Sequence, residues 1–135
     1  MSGNVLEMGV ADIALERGDR DMWIRVKAAH DDGTPPRTHA GVLGQVWRGH
    51  PTQIRLAKAL AGMAIAPVDE SLGRAAGKLL AQTGTLDVID AAVITMSSDG
   101  DEIATSDPED LVTLAGREWK VRRTYSRLGF IRRAA

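Results

Sequence analysis

The run Leu86-Asp87-Val88-Ile89-Asp90-Ala91-Ala92-Val93 constrains this chain most, because it is apolar enough to be buried yet carries two acids. Read as a helix, it surrounds Asp90 with Ile89, Ala91, Ala92 and Val93, so that the carboxylate sits mid-helix among small apolar side chains. Asp87 lies three residues earlier and shares its face. Burying an unpaired carboxylate is costly, and a fold retains one mainly where something neutralises it. A second run, Ile103-Ala104-Thr105-Ser106-Asp107-Pro108-Glu109-Asp110, presents Asp107 where a short apolar strand hands over to a helix. Carboxylates converging from separate elements raise one another's pKa, and a hard cation relieves the repulsion. Both outer acids also have plain structural roles. Asp107-Pro108 is a common way to start a helix, and Asp87 suits a first turn. Asp90, read as mid-helix, has no such role.

The 135 residues suit one domain around one core, with 44% hydrophobic and 26% charged residues as in ordinary globular chains. The absence of cysteine removes disulfides, thiolate nucleophiles and thiolate metal sites, and a cytoplasmic location fits best. The N-terminal stretch lacks the basic start and apolar run of a signal peptide, and no later segment has the length to span a bilayer. The net charge of −1 hides an asymmetry: from Arg117 onward the bases Arg117, Lys120, Arg122, Arg123, Arg127, Arg132 and Arg133 face the single acid Glu118. Such an arm binds a polyanion, pairs with an acidic surface, or simply solvates the chain.

Short apolar runs alternate with helical spacing. Strands are predicted at 5–7, 63–68, 103–105 and 119–125, with a weaker one at 37–39. Helices are predicted over 10–17, 19–29, 40–47, from Pro51 to about residue 60, to residue 82 after a cap at Asp69 or Ser71, from Asp87 to near 97–100, and from Asp107 to about 115. This alternation predicts an α/β fold with a mostly parallel central sheet covered on both faces. His30, His39 and His50 show no ligand spacing and are read as surface residues, while Trp23 and Trp47 fall on amphipathic helices as core anchors.

The motifs Asp87-Val88-Ile89-Asp90-Ala91-Ala92 and Thr105-Ser106-Asp107-Pro108-Glu109-Asp110, with Ala40-Gly41-Val42-Leu43-Gly44-Gln45-Val46-Trp47-Arg48-Gly49 upstream, resemble the PIN domain, and within it the VapC-type toxins. The likeness runs from about residue 15 to residue 125. It implies a three-layer α/β/α domain over 1–125 followed by a basic tail at 126–135. It also implies an acidic site that binds Mg²⁺ or Mn²⁺ and cleaves single-stranded RNA. Carried over by position, Glu7, Asp90 and Asp107 become the catalytic acids, and with Asp87 they form the metal set. Gln45, Thr105 and Asp110 become accessory residues, and Arg48, Arg122 and Arg123 are candidates for contacting RNA. The family further implies a cognate antitoxin and a homodimer, with no membrane role.

The departures from the family pattern are specific. Glu7 stands where the family has an aspartate after the first strand, with Asp12 as the nearest substitute, and Gln45 replaces an acid on the helix after the second strand. Fewer charges then face the cation. This opens an alternative, a non-catalytic PIN-like module that binds an antitoxin-type partner. A phosphoacceptor domain ranks behind both, because Lys27, Lys58, Lys78 and Lys120 fall in predicted helices or the last strand rather than at a central strand end.

Overall fold

The computed structural model describes residues 4–6, 19–84, 87–98, 101–105, 119–123 and 129–133, and local chemistry accounts for most of the element boundaries in them. Strand β1 is Asn4–Leu6. Helix α1, Arg20–Asp31, starts where the Asp19 carboxylate accepts from the Met22 amide at 3.0 Å, and it buries Met22, Val26 and Ala29 at helical spacing. Strand β2, Arg37–His39, runs straight into α2, Ala40–Val46. A 3₁₀ turn, Pro51–Gln53, opens on proline and leads into α3, Ile54–Ala61, which buries Leu56 and Ala59. Strand β3 is Ala64–Ala66.

Helix α4, Glu70–Thr83, is capped by Asp69, whose carboxylate accepts from the Leu72 amide at 2.9 Å. It stops at Gly84, which has φ +71° and donates its amide to the Leu80 carbonyl at 2.8 Å. An added Cβ at Gly84 would meet nothing within 4 Å, so the backbone conformation alone sets the cost of a side chain there. Gly84→Ala is therefore expected to lower stability by about 1 kcal/mol in urea unfolding. An unchanged midpoint would show that α4 ends equally well without the left-handed residue.

Helix α5 is Val88–Thr95, and the remaining strands are β4, Glu102–Thr105, β5, Trp119–Arg123, and β6, Gly129–Arg133. The described strands form one mixed sheet in the order β3-β2-β1-β4-β6-β5. β1 pairs in parallel with β2 and β4, β2 pairs in parallel with β3, and β6 runs antiparallel to both β4 and β5. The chain is thus mixed α/β, as the alternation of patterns predicts.

Two expectations about the far edge are corrected. The stretch at 126–135 is not simply a basic tail, because Gly129–Arg133 is a sheet strand. Nor is the strand at 119–123 the last one; β6 lies between it and β4. Ladder bonds are made by backbone groups, so an arginine-rich segment can satisfy the open edge of β4 as well as an apolar one. The helices predicted over 10–17 and after Asp107 lie outside the described residues.

A core cluster of described residues joins Val42, Ala76, Ala91, Ala92, Val93, Ile94 and Ile103, with Leu72, Leu79, Leu80, Ile89 and Met96 packed against it. It therefore draws on α2, α4, α5 and β4. The alanines at 76, 91 and 92 suit close approach of α4 and α5. Among the described residues, no helix is long and apolar enough to cross a membrane.

Candidate functional site

In a parallel sheet the residues that follow neighbouring strands gather at one edge. β1 and β4 are such neighbours, with Leu6 paired to Ala104 near their carboxyl ends. The residue that ties α5 to this edge is His39, at the end of β2. Its side chain is fully buried, and Nδ1 accepts from the amides of Gly41 at 3.0 Å and Val42 at 3.3 Å, capping α2. An amide can only donate, so the ring proton sits on Nε2, which donates to the Ile89 carbonyl at 3.0 Å. One imidazole thus joins the end of β2, the start of α2 and the first turn of α5. Gly41 makes room for it, since a Cβ there would lie 2.9 Å from the His39 ring and 2.7 Å from Ile89. The surface reading of His39 is therefore wrong; His30 and His50 are exposed, as expected.

The same turn carries Asp87 and Asp90. Asp87 is the N-cap of α5, exposed, and its carboxylate accepts from the Asp90 amide at 3.0 Å. Asp90 belongs to the first turn of α5 and is half-buried. The mid-helix expectation is thereby corrected: the helix begins at Val88, and an acid at its third position is favoured by the macrodipole. The apolar half of the run is buried as expected, with Ala91, Ala92, Val93 and Ile94 all in the core.

Other candidates divide by place. Gln45 is exposed on α2, and its carbonyl accepts from the Arg48 guanidinium at 3.1 Å. Arg48 also donates to the carbonyls of Gly44 at 3.2 Å and Trp47 at 2.8 Å, so its cation sits on the negative end of α2. Trp47 is 39% exposed rather than a core anchor, and the turn after α2 is held instead by buried Gln53. Gln53 accepts from the Arg48 amide at 2.9 Å and donates to the Val46 carbonyl at 2.9 Å. Thr105 ends β4, and Arg122 and Arg123 belong to β5. Glu7, Asp12, Asp107 and Asp110 lie outside the described residues. Among the described residues, no group of three or more His, Asp or Glu side chains is placed to hold a metal ion.

The opposite edge carries two ion pairs that the sequence patterns did not flag. Asp101, 2% exposed, accepts from the Ser98 amide at 2.8 Å and from the Arg37 guanidinium, which also donates to the Met96 carbonyl at 3.4 Å. Arg25 of α1 pairs with Glu102 of β4 at 2.8 Å. The first pair links the start of β2 to the loop before β4, across β1. With His39 at the other end, β2 and the α5–β4 unit are fastened at both edges of the sheet. No family model, curated protein or solved structure matches the chain.

Proposed function

We propose that this chain is a PIN-like, three-layer α/β/α domain of the VapC type that cleaves single-stranded RNA with Mg²⁺ or Mn²⁺ at the carboxyl edge of its sheet. The observation that supports this most is the bond from His39 to the Ile89 carbonyl, because it brings the first turn of α5, with Asp87 and Asp90, to the strand-end edge. In the chain, Glu7 directly follows Leu6 of β1 and Asp107 stands two residues beyond Thr105 of β4, so both acids follow adjacent parallel strands. The donors are all oxygen, which suits a hard divalent cation. Asp87 keeps one carboxylate oxygen beyond the one that caps α5.

In this reading Glu7, Asp90 and Asp107 hold the ion, Asp87 and Gln45 orient its waters, and Thr105 and Asp110 assist. When bound, the metal supplies an activated water and neutralises charge on the phosphate. Arg122 and Arg123 bring positive charge on β5 for the RNA backbone. An antitoxin partner, a homodimeric state and a cytoplasmic setting belong to the same proposal. The placement of Asp87 and Asp90 at a helix start favours a second reading, a PIN-like module that binds a partner without catalysis, since both acids then have structural employment.

A labelled single-stranded RNA incubated with the purified chain separates the two. Cleavage is expected with Mn²⁺ and not in excess EDTA, and Asp90→Asn should reduce it by about a hundredfold or more. Cleavage that persists in EDTA or in Asp90→Asn removes the nuclease reading. No cleavage, together with lowered stability of Asp90→Asn, favours the binding module, in which Asp90 serves the helix start.

A further inference from the structure

Helix α1 and the C-terminal half of α3 flank an open cavity of about 320 Å³, lined among the described residues by Trp23, Val26, Lys27, His30, Lys58 and Ala59. Both helices lead into strand starts, so the cavity lies toward the amino edge of the sheet, away from the acids discussed above. Its size is at the low end for small-molecule sites. Val26 and Ala59 are buried, and the half-buried Trp23 indole adds a flat apolar wall.

The remaining described lining residues are all basic, and no acid is among them. Lys58 has no ion-pair partner among the described residues. Lys27 shares one contact with Asp31 at 2.9 Å and is otherwise exposed. Cations near helix ends often serve the last carbonyls, but here backbone amides take those: Thr34 donates to Ala29, Gly33 to His30, Gly62 to Ala59 and Met63 to Leu60. The His30 ring rests on the bare Cα of Gly62, where a Cβ would lie 2.6 Å from Nε2.

We propose that this cavity binds a small planar aromatic acid, its ring against Trp23, Val26 and Ala59 and its carboxylate toward Lys58 and Lys27. The apolar floor covers one face of the ring, and the basic rim, on which Lys58 has no ion-pair partner among the described residues, favours the anion over a neutral ligand of the same shape. The site is independent of the nuclease reading.

Titration of naphthoate into the isotope-labelled full chain, followed by heteronuclear NMR, tests it. Saturable shifts are expected at the Trp23 indole N–H and at the amides of Val26, His30 and Ala59. Binding should be about tenfold tighter than that of neutral naphthalenemethanol, and Lys58→Glu, at an exposed position, should weaken it about tenfold while leaving the remaining spectrum native. Absence of saturable shifts at these residues overturns the proposal. So does equal affinity for the alcohol, or unchanged affinity in Lys58→Glu.

Discussion

His39→Ala is expected to cost about 3 kcal/mol of unfolding free energy, measured by urea denaturation followed by circular dichroism. The substitution removes three hydrogen bonds at once. Two come from the α2 amides of Gly41 and Val42, and loss of such a cap alone costs about 1 kcal/mol. The third leaves the Ile89 carbonyl without its imidazole donor, and a void replaces a fully buried ring. His39→Asn discriminates among these contributions. Its short side chain can still cap α2 but cannot span to Ile89, so about half the loss should return. If His39→Ala costs less than about 1 kcal/mol, the imidazole is not what holds α5 to β2.

A loss of similar size is expected for Asp101→Leu, about 3 kcal/mol, at the low end for breaking a buried ion pair. The carboxylate is buried, whereas the Arg37 side chain keeps 33% exposure, so water partly compensates the stranded cation. The Ser98 amide also loses its acceptor, which loosens the turn before β4. Adding Arg37→Met to Asp101→Leu should recover part of the loss, since removing both charges is cheaper than stranding one. Strict additivity of the two single variants would mean that the pair contributes nothing to joining β2 with β4.

Much of the helical framework is legible from local spacing and caps. Met22, Val26 and Ala29 fall on one stripe, Asp69 is one of two foreseen caps, and Pro51 opens its turn as expected. Asp90 was misread for a local reason. The spacing Asp87-x-x-Asp90 is that of an N-cap and a third-position acid, but the apolar run from Leu86 suggests an earlier helix start. Recognising that spacing would have moved the boundary. His39 had a similar signal, a polar residue that ends a strand immediately before a helix, where capping and burial coincide. Asp101 had none, because its partner Arg37 lies on a different element far along the chain. β6 was missed because residues 129–133 carry only two large apolar side chains, and its place depends on the backbone needs of β4.

The placement of β1 fixes when this sheet can be completed. Asn4–Leu6 precedes both of its partners in the chain, Arg37 of β2 on one side and Glu102–Ala104 of β4 on the other. During synthesis β1 must therefore wait, with one flank unpaired, until β4 has emerged. Closing so long a loop is slow, and an unpaired flank on a nascent chain invites association with other chains. Of the described strands β6 comes last and seals β4, so a chain cut before Gly129 presents an open edge to its neighbours.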